Sequence, residues 1–381
     1  MTDGHHADRR SFLKTGAIAG TALAAGASGA IAQLADSSRP TKGDIAILRF
    51  LSAIEQIESD LWLQYAELGG VQDSEIPGLS TSTKGNKPYT DALNNLDADM
   101  SQYIHDNTED EFSHHDFLNA YLQSIGATPV DLSIFATLKG SQATGANKTK
   151  LRLTNLMQLI VDTSWWTRYR SRDKNPDLDP SFVFPQAVPS LFIKGKPHPA
   201  IPPVDITDKD HIQAIANTAA FHFGFIEQGG TSLYPTLALR VTDPVVLRIL
   251  LSIGPTETMH FQTWSDKAGN AVQPPFNVTF GDLTFPNLNA PPFPAPPPFG
   301  LEDFQTNLIM PEPCPFLNRK FPVVSVIRPV SISTAIFGAM AAVQGFTDDG
   351  LFIGQSGKFF RTLHDLAEDA DEATRKCHRE D

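Results

Sequence analysis

The stretch IGPTETMHFQTW, residues 253–264, sets Glu257 and His260 three residues apart. At 3.6 residues per turn the two share one helical face with Ile253 and Trp264. An apolar face accepts a carboxylate and an imidazole only when both are partnered, because a lone buried charge is costly. The pair is therefore either an isolated polar couple or part of a metal site, and the rest of the chain decides which.

The same arrangement recurs. The helix expected over 242–269 opens on Thr242-Asp243-Pro244, a cap followed by an early proline. Its stripe runs Val246, Ile249, Leu250, Ile253, Glu257, His260, Trp264. A helix expected over 90–124 carries Met100, Ile104, Asn107, Glu111, His114, Leu118 and Tyr121 at the same steps, so EFSH at 111–114 is a second Glu-x-x-His. Over 207–234 the stripe is Ile212, Ala216, Ala219, Phe223, Glu227 and Tyr234, with Thr207 as the expected cap. Over 44–68 it is Ile47, Leu51, Ile54, Glu58, Leu61 and Tyr65, with Asp44 as the expected cap. With 13 glutamates and 11 histidines in 381 residues, fewer than one Glu-x-x-His pair arises by chance. Two pairs, plus a stripe glutamate on each of two further helices, form the order Glu, Glu-x-x-His, Glu, Glu-x-x-His.

The first glutamate of that order has two candidates one turn apart. Glu58 lies nearer the centre of the stripe and has Tyr65 seven residues on, as Glu227 has Tyr234. Glu55 has Trp62 seven on and shares the Ile-Glu-Gln context of Glu227. Periodicity favours Glu58, and both stay open. His115, next to the stripe edge, is a substitute for His114. His222 projects away from Glu227 and reads as a packed or exposed histidine. Asp162 with Trp165 and Trp166 reads as aromatic packing before it reads as a substrate channel.

Four carboxylates and two imidazoles converging in a helical bundle have a direct use. Two divalent cations bring about four positive charges, which four carboxylates cancel; carboxylates bridge metals, and each imidazole gives one nitrogen per metal. Mixed oxygen and nitrogen donors suit iron or manganese and leave open positions for a small ligand. The only cysteines, Cys314 and Cys377, stand far from these motifs, which argues against a thiolate metal site and leaves one disulfide open.

Outside the stripes, residues 8–14 read DRRSFLK and lead into a weakly apolar Ala/Gly run ending in Ala30-Ile31-Ala32. This resembles a bacterial twin-arginine export signal, residues 1–32, cleaved before Gln33, with a periplasmic or extracellular destination. Without it the chain holds 27 basic and 41 acidic residues, a net charge of −14. An acidic surface disfavours nucleic acid and anionic membranes and suits attraction of cations. Beyond the signal, nothing approaches the ~18 apolar residues of a membrane helix. Residues 176–203 carry eight prolines and 274–298 carry nine, including FPAPPPF at 293–299. Such segments lie extended over a surface and do not form a core alone. Further helices are expected over 150–170, 332–346 and 355–371, and a strand over 321–327.

The pattern resembles the ferritin-like di-metal carboxylate proteins, among them bacterioferritin, rubrerythrin and ribonucleotide reductase small subunits. With the export signal, FHFGFIEQGGTSLY at 221–234 and IGPTETMHFQTW, it is similar to the exported ferritin-like domain family. The resemblance covers about 44–270. It implies a mainly α fold built on a ferritin-like four-helix bundle, from which the chain departs by an insertion over about 127–206 and a Pro-rich extension with C-terminal helices over 271–381. It implies Glu111 and Glu257 as bridging ligands, His114 and His260 as terminal ones, and Glu227 and a first-helix glutamate capping each metal. The expected function is redox chemistry of an iron or manganese pair with O2, peroxide or Fe(II), so the partner is a small molecule or a metal ion. The alternative is a non-catalytic stress or surface-associated protein whose metal is structural or absent.

Overall fold

The computed structural model describes residues 39–79, 84–168, 183–271, 278–288, 320 and 338–375. The export segment 1–32, the 293–299 run, the strand expected at 321–327, Cys314 and Cys377 lie outside these residues. Eight helices are described: α1 (Lys42–Gly69), α2 (Lys87–Asn94), α3 (Met100–Ser124), α4 (Ser164–Arg168), α5 (Lys209–Ala238), α6 (Pro244–Ala271), α7 (Ala339–Asp348) and α8 (Gly357–Asp371). Two two-stranded antiparallel ribbons pair 138–139 with 151–152 and 279–280 with 283–284. The fold is mainly α, and its bundle is α1 packed along α3 and α5 packed along α6.

Local chemistry sets the helix ends. Thr41, not Asp44, is the N-cap of α1; Thr41 and Asp44 form a reciprocal capping box. Asp44 also accepts the Thr242 N–H at 2.7 Å, tying the start of α1 to the start of α6. Asp208, one residue past the expected cap, receives the His211 N–H and starts α5. The helix expected over 90–124 is two helices. The break falls at 95–99, where Asn95 Nδ2 donates to Gln213 Oε1 and Asp97 Oδ1 accepts the Asp99 N–H, both at 2.9 Å. Helix α6 continues through Pro255.

The helix expected over 150–170 is the clearest correction. Of it only 164–168 is helical, and 169–170 lie outside the described residues. Leu153, Leu156, Leu159 and Val161 are buried in a non-helical segment of bends and loop. Its backbone bonds laterally: Asn155 N–H to Leu351 O, Ile160 N–H to Asp349 O, and Leu159 with His198 in both directions. Apolar spacing in a short run does not separate these two ways of satisfying the backbone.

This segment changes the environment of α1. Asp60 Oδ2 accepts the N–H groups of Leu153 and Thr154 and the Thr154 hydroxyl. Glu67 holds buried Arg152 through contacts of 2.6 and 2.7 Å. Helix α8 packs on α1 as well, its Phe359, Leu363, Leu366 and Ala370 stripe buried. Every residue of α1 from 50 to 69 except Gln56 is therefore buried. A second polar link joins the C-terminal helices to the bundle: Tyr65 Oη lies 2.7 Å from His222 Nδ1, and His222 Nε2 lies 3.2 Å from Asp349 Oδ2. All three are buried, and burial raises the Asp349 carboxyl above its usual range.

Candidate metal centre

Each of the four bundle helices delivers side chains to one buried chamber. Helix α1 brings Glu55, α3 brings Glu111 and His114, α5 brings Glu227, and α6 brings Glu257 and His260. All four glutamates are fully buried. Glu55, Glu111, His114 and Glu257 offer ligand atoms within 4.8 Å of one another, and so do Glu111, Glu227, Glu257 and His260. The two groups share Glu111 and Glu257, which makes them neighbouring positions of one centre.

His114 Nδ1 lies 3.2 Å from Glu55 Oε2, Glu111 Oε2 and Glu257 Oε1. His260 Nδ1 lies 3.2 Å from Glu111 Oε1 and 3.4 Å from Glu227 Oε2. Glu111 thus turns one oxygen to each histidine, the disposition of a bridging carboxylate. A Cβ at Gly230 would collide with Glu257 Oε2, so glycine there leaves room for that carboxylate.

The sequence candidates separate on this geometry. Glu111, His114, Glu227, Glu257 and His260 come together. Of the first-helix pair, Glu55 joins the cluster, while Glu58 belongs to neither group, although it is buried and feels the charges of Glu111, Glu257, Glu55 and Glu227. Centrality in an apolar stripe had favoured Glu58. That criterion fails because α1 is buried on all sides and has no single inward face. His115 turns aside, its Nδ1 2.9 Å from Ser59 Oγ. Trp165 and Trp166 are buried packing residues; a Cβ at Gly224 would strike the Trp165 ring. Asp162 lines a cavity of about 220 Å³ between α5 and α7, on the side of α5 turned away from Glu227.

The surrounding contacts reveal an internal two-fold. Trp62, seven residues after Glu55, donates its indole N–H to Glu227 Oε1 at 2.9 Å. Tyr234, seven after Glu227, donates its hydroxyl to Glu55 Oε1. Each terminal carboxylate is thus held by the aromatic residue that belongs to the other. Asn107 donates to Glu111 Oε1 at 2.7 Å and Glu227 Oε1 at 3.1 Å, and accepts the Trp264 N–H at 2.6 Å. The outer ring nitrogens also have partners the stripes did not single out: Asp110 for His260 and Thr256 for His114, both at 3.1 Å. Aligning DEFSH at 110–114 with TETMH at 256–260 is the signal that locates them.

The electrostatics are those of a site built for positive charge. Burial, then the neighbouring glutamates, pushes Glu257 and Glu58 well above the carboxylate range. Burial and Glu227 bring Glu111 up to about 7. Burial also acts on Glu55, but the His114 charge and the bonds from His114, Glu111 and Tyr234 outweigh it and lower its carboxyl. Both imidazoles are raised against their own desolvation, His114 by Glu55 first and His260 by Asp110 first. Protons and cations therefore compete for one pool of negative charge. Glu227 Oε2, both Glu257 oxygens and His260 Nδ1 are buried with no hydrogen-bond partner among the described residues. Buried polar atoms are rarely left so, and these converge on the positions a ligated cation takes. The donor set, oxygen with one nitrogen per position, fits two divalent ions of the iron or manganese kind.

Among the described residues no helix is long and apolar enough to cross a membrane. No curated protein and no solved structure is matched by the chain. Among protein families, residues 43–270 match the ferritin-like domain. That span contains the whole carboxylate–histidine chamber and more than half of the sequence, and the chain belongs to the ferritin-like domain family.

Proposed function

We propose that this is an exported ferritin-like protein that binds a dinuclear iron or manganese centre and acts on O2, peroxide or Fe(II). The observation that carries the reading is the pair of four-residue groups sharing Glu111 and Glu257, with buried ligand atoms that make no hydrogen bond among the described residues. A redox-active cation pair held there would supply single-electron changes toward such oxidants. Glu55 and Glu227 would each cap one ion, Glu111 and Glu257 would bridge them, and His114 and His260 would each give Nδ1. Trp62, Tyr234 and Asn107 fix the carboxylates by donating to them, which limits the reorganisation the site undergoes when charge changes. All four glutamates are fully buried, so bulk water does not reach their carboxylates.

The deciding experiment is elemental analysis of the purified protein with the Glu111→Ala, Glu257→Ala double variant. Two ions per chain in the parent and none in the variant are expected; unchanged stoichiometry removes the assignment. Turnover of O2 or peroxide by the loaded protein supports the enzyme, whereas tight metal without turnover assigns a structural role. Export belongs to the same reading and rests on the Arg9-Arg10 pair and the Ala30-Ile31-Ala32 end. Secreted protein beginning at Gln33, and retention of precursor on Arg9→Lys with Arg10→Lys, are expected; secretion unaffected by that double change rules the route out.

A further inference from the structure

The two halves of the centre coincide residue for residue in the ring that faces the metals, Glu55 with Glu227, Glu111 with Glu257 and His114 with His260. They differ one contact further out. Each histidine turns Nδ1 to the carboxylates and Nε2 to the residue that precedes the opposite shared glutamate. For His260 that residue is Asp110, with Oδ2 at 3.1 Å; for His114 it is Thr256, with Oγ1 at 3.1 Å. The Thr256 hydroxyl donates to Ile253 O at 2.6 Å and so is oriented to accept from His114. An accepting carboxylate fixes the imidazole tautomer, draws on the Nε2 proton and strengthens Nδ1 as a donor. An accepting hydroxyl orients the ring with much less electronic effect and brings no charge. Asp110 is 41 % exposed, so solvent screens its long-range field, and its influence acts through the direct bond to the ring.

We propose that the two metal positions are unequal and that Asp110, as a positioning residue behind His260, makes the His260 position the tighter one; this rests on the dinuclear reading above. The consequence is ordered loading, with the Glu227–His260 position filled before the Glu55–His114 position.

The test is calorimetric titration of the full chain, stripped of metal, with Mn(II). The parent protein is expected to show two binding constants separated by about tenfold or more, since removal of such outer partners typically costs 10–100-fold in affinity. Asp110→Asn, which keeps the shape and deletes the charge, should weaken the tighter constant by about 10–100-fold and leave the other in place. Asp110→Glu should restore most of that loss, and Thr256→Val should leave the tighter constant unmoved. His260→Ala should abolish the tighter constant and His114→Ala the weaker. Two equal constants in the parent, or an Asp110→Asn variant in which both constants or neither shift, overturns the inference while leaving a dinuclear centre standing. A parent protein that binds no Mn(II) overturns the dinuclear reading and this inference together.

Discussion

The α1–α3 half and the α5–α6 half of the bundle supply the same inner ring from different surroundings. Three residues after the terminal glutamate, the first half carries Glu58 and the second Gly230. Ten residues after it, the first carries Tyr65 and the second Leu237. At the start of the shared turn stand Asn107 and Asp110 in one half, Ile253 and Thr256 in the other. On the dinuclear reading proposed above, the inner ring would be duplicated because two cations need the same charge and the same nitrogen twice. The flanks are free to differ, because each answers to what packs outside it: the bond from Tyr65 to His222 leads on to Asp349 beside the C-terminal helices, whereas Leu237 is simply core.

The strongest way to break this comparison is to remove terminal carboxylates singly. Glu55→Ala and Glu227→Ala should each cost one of two ions, and Glu58→Ala should cost none, measured by elemental analysis. Loss of an ion with Glu58→Ala but not with Glu55→Ala would make Glu58 the counterpart of Glu227 and undo the alignment. Next in size is the response to pH. Glu111 titrates at about 7 and Glu257 above the usual range, so metal must displace protons at neutral pH. Affinity should then rise with pH, about tenfold per unit for each proton displaced, and fall as pH drops through 7. Calorimetry in buffers of different ionisation enthalpy reads the protons directly; release of none would contradict the raised carboxyls.

Smaller effects sharpen the contrast at the flanks. Gly230→Ala forces a methyl group against Glu257 Oε2 and should destabilise the fold by about 1–3 kcal/mol, the usual overpacking range. It should also disturb metal binding, and a variant with parental melting and stoichiometry would deny Gly230 its role of making room. Tyr65→Phe deletes the bond to His222 and should cost about 1 kcal/mol or somewhat more, read from thermal melting, with two ions retained. Loss of metal in that variant would join the Tyr65 network to the centre instead of to the C-terminal packing.

Much of the centre was legible because a charged residue in an apolar stripe contradicts its surroundings, and six such contradictions in four helices have few common explanations. Glu111, His114, Glu227, Glu257 and His260 were found that way. The choice between Glu55 and Glu58 was not, because stripe position carries information only for a helix with one buried face. One side of α1 is covered through Asp60, Gln64 and Glu67, polar residues that bond the 152–154 segment. The repeat was partly visible too: the echo of Ile54-Glu55-Gln56 with Ile226-Glu227-Gln228 aligns the two glutamates that join the cluster, whereas the matching tyrosines at 65 and 234 pair Glu227 with Glu58. Tyr234 pairs with Trp62, since both hold a carboxylate by one N–H or O–H donor, and donors of different residue type do not look alike in a sequence.

The order of residues along the chain determined the helices, the sign of the charge they bury and the donor types they offer, because periodicity and side-chain chemistry are local properties. Folding alone decided which carboxylate of α1 meets the others, that an apolar run at 153–161 is not helical, and that Asp110 and Thr256 stand behind the two imidazoles. Those facts depend on contacts between residues far apart in the chain, Tyr234 lying 179 positions from Glu55. Distance along the chain says nothing about such contacts until packing has brought them within bonding range.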